Sequence, residues 1–108
     1  MTEVPEASNF FAHVTTKTSL DAVADHYRAA GWRVRKCSWT DFEATSEIGE
    51  LVLEGEPILI HGPIADPITN AATVTKPLRD AAIAFSYECY AADRSLLLQE
   101  RWTPEPHS

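Results

Sequence analysis

The hydrophobic period of the chain changes at Gly31, and this change limits the possible folds more than any other feature. Before Gly31, apolar residues recur at the spacing of one helix face; they are Leu20, Val23, Ala24, Tyr27 and Ala30. Thr18 is suited to cap this helix, and Gly31 is suited to the left-handed position that ends one. From residue 32 to 39, polar and apolar side chains alternate as they do in a strand. The sequence therefore predicts a helix over 19–30 followed by β structure.

Further alternation predicts more strands. Residues 10–15 are rich in aromatic and β-branched side chains, which favours a first strand. Residues 42–47 and 50–54 alternate between apolar and polar, which is typical of antiparallel strands with one face in water. Residues 58–60 are continuously apolar, which predicts a central strand covered on both faces.

The second half of the chain is harder to interpret. Residues 62–77 contain three prolines and several polar side chains, which predicts a long loop, with a short helical turn beginning at Pro77. Residues 85–90 alternate again and a turn-like segment follows, which favours a C-terminal β-hairpin. Apolar residues from Leu78 to Cys89 also recur at helical spacing, so a helix through residue 91 is the alternative.

Together these patterns predict one α+β domain. It consists of a mostly antiparallel sheet, one main amphipathic helix (19–30) packed on one face, and a C-terminal hairpin. A chain of 108 residues is near the usual size of a single domain. Its folded core is expected at about 9–102, because residues 1–8 and 103–108 are rich in Pro, Glu and Ser and suggest flexible tails.

The charge argues against several classes of partner. A formal net charge of −7 disfavours nucleic acid and anionic lipid, because both are bound by neutralising phosphate with Lys and Arg. No apolar stretch is long enough to span a membrane, and Glu3 and Glu6 stand where a signal peptide carries cations. We therefore expect a soluble, cytoplasmic protein in which Cys37 and Cys89 remain thiols. No nucleotide-binding motif or metal-ligand spacing is present, so we expect no cofactor and no metal.

An enzyme is the less favoured of two functional hypotheses. His61 ends the apolar run and opens the predicted loop, where it could act as a general base oriented by Asp66. Cys37 follows Arg35 and Lys36, and nearby cations can activate a thiol. A histidine at a strand end more often hydrogen-bonds a neighbouring carbonyl, and a cysteine in a strand is more often a packed side chain.

A non-catalytic protein-binding domain is the favoured hypothesis. The segment from Asp41 to Glu56 contains no cation, and strand alternation predicts carboxylates side by side on adjacent strands. The expected binding residues are Glu43, Glu47, Glu50, Glu54, Pro63 and Pro67. The expected partner is a basic protein, as for a small acidic inhibitor or immunity-type protein, a comparison that rests on size and charge. Self-association as a homodimer through an open sheet edge is the alternative, and a solvated outer face without a partner also accounts for the acidic run.

Overall fold

The computed structural model describes residues 9–38, 41–55 and 57–104. This part of the chain forms seven strands and two helices. The strands are β1 (Phe10–Val14), β2 (Arg33–Lys36), β3 (Asp41–Ser46), β4 (Gly49–Glu54), β5 (Leu59–Gly62), β6 (Phe85–Tyr90) and β7 (Leu96–Trp102). The helices are α1 (Leu20–Ala29) and α2 (Pro67–Asp80).

All seven strands belong to one antiparallel sheet in the order β2-β3-β4-β5-β1-β6-β7. The α+β prediction and the C-terminal hairpin β6–β7 are thus confirmed. β1 lies between β5 and β6, and it therefore joins a β2–β5 meander to the hairpin. The two edges of the sheet are β2 and β7.

Helix α1 forms where the sequence predicts it. Its N-cap is Ser19, one residue after the expected Thr18, and the Ser19 hydroxyl accepts a hydrogen bond from the Ala22 amide at 3.1 Å. Gly31 follows the helix with a φ of +100°, a conformation in which a side chain would be strained. The buried stripe of the helix contains Val23, Ala24 and Tyr27.

The predicted long loop at 62–77 was wrong, because most of this segment belongs to helix α2. Pro67 occupies the first turn of this helix, where a missing amide hydrogen costs nothing, and Pro77 lies in its last turn. The stripe Ala71, Val74, Thr75 and Leu78 is buried at helical spacing, and the Thr75 hydroxyl donates to the Ala71 carbonyl at 3.0 Å. The connection between β5 and α2 is therefore only residues 63–66.

Both helices pack on the same face of the sheet, which we call the closed face. Its side chains form one core with the helices; they include Phe10, Ala12, Leu51, Leu53, Ile60, Phe85 and Tyr87. The Tyr27 hydroxyl donates to the Val74 carbonyl at 2.7 Å and so links α1 to α2 inside this core. β5 is central, but Leu59 and His61 point to the opposite face and are only half-buried, so the expectation of a strand covered on both faces was wrong.

Candidate functional site

The face opposite the helices, which we call the open face, has no element of the described chain packed over it. One row of its residues crosses all seven strands in register. In sheet order these residues are Arg35, Glu43, Val52, His61, Phe11, Glu88 and Gln99. They alternate along each strand with the closed-face core, because successive side chains of a strand point to opposite sides. The open face is therefore a broad surface of half-buried and exposed side chains.

Charge is distributed unevenly over the open face. The five central strands β3, β4, β5, β1 and β6, all within the described chain, contain no lysine or arginine. The register places every carboxylate of these strands on the open face; they are Asp41, Glu43, Glu50, Glu54 and Glu88. The arginines of this face lie on the two edge strands, Arg33 and Arg35 on β2 and Arg101 on β7. The centre is thus acidic and the edges carry the cations.

His61 lies at the middle of the acidic region. Its Nε2 is 2.9 Å from the Glu54 Oε2, and its side chain is 24% exposed while that of Glu54 is 41% exposed. The His61 ring stacks on Phe11 with centroids 6.2 Å apart. A carboxylate and an aromatic ring therefore orient the imidazole. Its register neighbours are Val52 and Phe11, neither of which can serve as a nucleophile.

An aromatic cluster adjoins His61. Phe11 contacts Tyr90 edge to face, with ring centroids 5.9 Å apart. The Tyr90 hydroxyl donates a hydrogen bond to the Glu88 Oε1 at 3.0 Å. This hydrogen bond to a carboxylate raises the pKa of Tyr90, so its hydroxyl stays protonated. Apolar ring surface and carboxylates consequently lie side by side. Sequence reasoning missed Phe11, Glu88 and Tyr90, although alternation next to a buried Phe10 would have placed Phe11 outward.

A cation from the edge strand β2 binds Glu43. Arg35 Nε donates to Glu43 Oε1 at 3.0 Å, and this hydrogen bond lowers the pKa of Glu43. The Arg35 charge offsets much of the field of Glu43. Glu50 and Glu54 on β4 are therefore the predicted carboxylates that contribute most to the negative potential at the centre.

The structure keeps the three residues of the enzyme hypothesis apart. Cys37 follows β2, and β3 and β4 separate that strand from β5, which is about 14 Å at the usual strand spacing. Desolvation and Glu43 raise the pKa of the Cys37 thiol, opposite in direction to activation. The carboxylate that contacts His61 is Glu54, whereas Asp66 is exposed at the start of α2, which packs on the closed face.

Three residues of the predicted binding set lie off the open face. Glu47 belongs to the turn between β3 and β4, so its expected place on a strand was wrong. Pro63 is half-buried just after β5, and Pro67 is in the first turn of α2 rather than in a long loop. Glu43, Glu50 and Glu54 are the predicted residues that the sheet brings together.

Comparisons with known proteins found no relative of this chain. No family model matches the chain, and no curated protein or solved structure matches it either. Within residues 9–38, 41–55 and 57–104, no helix is long and apolar enough to cross a membrane. The same residues contain no group of three or more His, Cys, Asp or Glu side chains able to hold a metal ion.

Proposed function

We propose that this chain is a non-catalytic domain that binds a basic protein through its open face. The observation that carries the proposal is the separation of charge on that face. Five carboxylates and no lysine or arginine occupy the five central strands, while the arginines lie on the edge strands. A concentrated negative potential accelerates encounter with a cationic surface and opposes approach of an anionic one.

The aromatic cluster provides apolar surface that a bound partner can cover. Charge alone mainly raises association rate, whereas slow dissociation needs apolar surface removed from water. Phe11, His61 and Tyr90 supply ring surface beside the carboxylates Glu54 and Glu88. Aromatic residues are enriched at protein interfaces, where a polar rim surrounds them.

The rigidity of the open face also favours binding without a folding step. Its side chains stand on a seven-stranded sheet whose other face is packed against two helices. The glutamate pairings with Arg35 and His61 and the stack of Phe11 already restrict several rotamers. Less conformational entropy is lost on docking when the surface is ordered beforehand.

A second copy of the chain is the rival occupant. The edge strand β7 exposes Leu96 and Leu97, and an open edge is able to pair with another strand. An acidic open face opposes a face-to-face dimer, because like charges would meet. A homodimer would therefore form at the edge and leave the open face free, which distinguishes the two arrangements experimentally.

Capture from a native lysate tests the proposal with matched charge variants. The open-face variant carries Glu43→Gln, Glu50→Gln and Glu54→Gln. The control carries Asp21→Asn, Asp25→Asn and Asp80→Asn, which removes the same charge from exposed helix positions on the other side of the sheet. Glu47→Gln, in the β3–β4 turn, is a second control within the acidic run.

The proposal predicts that the wild-type chain and both controls capture the same basic protein and that the open-face variant does not. With that protein purified, raising ionic strength should slow its association with the wild-type chain and affect the open-face variant less. Equal capture by all four chains at low and high salt would refute the proposal. It would leave the acidic face as a surface that only keeps the protein soluble.

A further inference from the structure

The two edges of the sheet differ in how well they are protected from another strand. The edge strand β2 has four residues, of which Arg33, Arg35 and Lys36 carry a positive charge. A short strand with charged side chains is a common protection of a sheet edge. The edge strand β7 has seven residues, and no strand of the described chain pairs with its outer side. β7 is therefore the edge to which another strand can be added.

Exposed apolar side chains are concentrated at β7. Three large hydrophobic residues are exposed in the described part of the chain, and two of them, Leu96 and Leu97, begin this strand. The third, Ile68, precedes Ala72 by one turn of α2. Ala72 and Thr75 line the space between that helix and β7, so Ile68 belongs to the helix stripe on the β7 side. A partner along this edge would therefore remove apolar surface from water.

The charge of β7 allows two copies of an acidic chain to approach each other. Its charged residues are Glu100 and Arg101, which sum to zero, in a chain whose formal net charge is −7. Two β2 edges would repel each other through their cations, and two open faces through their carboxylates. Pairing of β2 with β7 would leave a free edge on each copy and so continue without end. Charge and closure thus favour pairing of β7 with β7.

A two-fold axis at Gln99, the middle residue of β7, pairs the greatest length of the two strands. Gln99 then lies opposite the same residue of the second copy, and Leu98 lies opposite Glu100. No like charges are directly opposite, whereas an axis at Glu100 or Arg101 would place two equal charges together. The register with β6 is regular from Leu98 to Trp102, a range that includes this axis.

The acidic open faces do not prevent this pairing. Glu88 is the register partner of Gln99, so the Glu88 side chains of two paired copies would be three strand spacings apart, about 14 Å. This distance exceeds the screening length of about 8 Å at physiological ionic strength. Repulsion between the two open faces is therefore weak, and added salt should reduce it further.

We propose that two copies of this chain pair through β7, which joins two seven-stranded sheets into one antiparallel sheet of fourteen strands. The two-fold axis is perpendicular to the sheet, so both open faces lie on the same side. The interface consists of two strands and a few apolar side chains, so the dimer is weak, with a Kd of about 10 to 100 µM. The dimer leaves both open faces free and is independent of the proposed function.

Sedimentation of the full chain between about 1 µM and about 500 µM tests the dimer. We expect an equilibrium between monomer and dimer that stays unchanged or strengthens slightly as the salt concentration rises, whereas binding of a basic protein to the open face weakens. A monomer at every concentration, or assemblies that grow beyond the dimer, would overturn the proposal.

Charge variants at Gln99 test the position of the axis. Gln99→Lys places two ammonium groups opposite each other in the dimer, but within each copy the new lysine faces Glu88, so the fold should tolerate it. Gln99→Glu places two carboxylates opposite each other. Each variant alone should dimerise about fivefold more weakly than the wild-type chain, and an equimolar mixture of the two should recover the dimer.

Asp21→Asn is the matched control, because it changes the net charge by the same amount as Gln99→Lys on the exposed side of α1. It should dimerise like the wild-type chain. The double variant Leu96→Ser and Leu97→Ser changes only exposed side chains and should weaken the dimer about tenfold or more, whether or not the Gln99 variants fold. Unchanged dimerisation of the double variant, or a mixture of the Gln99 variants that dimerises no better than either alone, would overturn the proposal.

Discussion

The two faces of the sheet use neighbouring residues of the same type in different ways. Phe10 is fully buried on the closed face, where it stacks with Tyr87 at 5.8 Å. Phe11, the next residue, lies half-buried on the open face between His61 and Tyr90. One step along a strand thus separates a core residue from a surface residue. The comparison indicates that the closed face stabilises the fold, whereas the open face can change with little effect on stability.

The pair Phe10→Ala and Phe11→Ala tests this difference most strongly. We expect Phe10→Ala to lower the free energy of unfolding by about 4 kcal/mol, because it empties a packed site in the core. Phe11→Ala should cost about 1 kcal/mol, because the ring is half-exposed and leaves no closed cavity. Urea denaturation of both variants gives the two values. Similar losses would show that the open face is covered in solution.

Substitutions of Tyr27 test how much packing of the helices on the closed face stabilises the fold. Tyr27→Ala should cost about 3 kcal/mol, since it removes a buried ring between α1 and α2. Tyr27→Phe should cost about 1 kcal/mol, because only the hydrogen bond to the Val74 carbonyl is lost. Thermal melts of the two variants separate packing from hydrogen bonding. A Tyr27→Ala variant that melts within a degree or two of the wild-type chain would contradict the assignment of this helix face.

The free energy of unfolding should also fall at alkaline pH, because Cys89 is buried in the closed face. Burial raises the pKa of this thiol to about 11, above its ordinary value of 9.0. Because the folded pKa is the higher one, the stabilisation is complete below about pH 9 and is lost as the pH rises to about 11, by about 3 kcal/mol in total and by about 1 kcal/mol up to pH 10. Denaturation between pH 8 and 10, followed for Cys89→Ala and for the exposed Cys37→Ala, measures it. Cys89→Ala should flatten the pH dependence, and a similar flattening by Cys37→Ala would contradict the assignment to Cys89.

The smallest effects are expected for the open-face carboxylates. Glu50→Gln and Glu54→Gln should each change the free energy of unfolding by less than about 0.5 kcal/mol. Chemical denaturation at neutral pH checks this. Losses above about 2 kcal/mol would mean that these carboxylates stabilise the fold, and lost binding could then no longer be attributed to the surface.

Local alternation explains why so much of the fold was predictable. The strands β1, β3 and β4, helix α1 and the C-terminal hairpin each have a period that is readable over five to ten residues. The prediction that Cys37 and Cys89 are free thiols also agrees with the structure, in which Cys37 is exposed and Cys89 buried. These features depend on neighbours in the chain, so the sequence alone contains the information.

Helix α2 was not predicted, because several of its buried residues are not strongly apolar and its hydrophobic period is therefore weak. Its buried positions Ala71, Val74, Thr75 and Leu78 have helical spacing, but two of them are alanine and threonine, and prolines occur near both ends. Thr75 can be a core residue because the helix carbonyls of Ala71 and Ala72 accept its hydroxyl hydrogen. Tertiary packing thus stabilised a segment whose composition suggests a loop.

The contact between His61 and the aromatic cluster of the open face could not be predicted, because strand order is not a local property. His61 meets Phe11 only because β1 inserts next to β5, although the two residues are 50 positions apart in the chain. Glu43, Glu50 and Glu54 were predictable because β3 and β4 are consecutive and form a tight hairpin. Long-range pairing therefore separates what sequence reasoning found from what it missed.

Site-specific photo-crosslinking shows which surface of the protein a partner covers. A photoreactive phenylalanine analogue is placed at Val52, in the middle of the open face, and in a second chain at Asp25, on the exposed side of α1. Both chains are irradiated in native lysate at low and high salt. We expect only the probe at position 52 to attach to a basic protein, and the yield to fall as salt rises. Attachment only from position 25, or from position 52 only to a second copy of the chain, would contradict the proposed function.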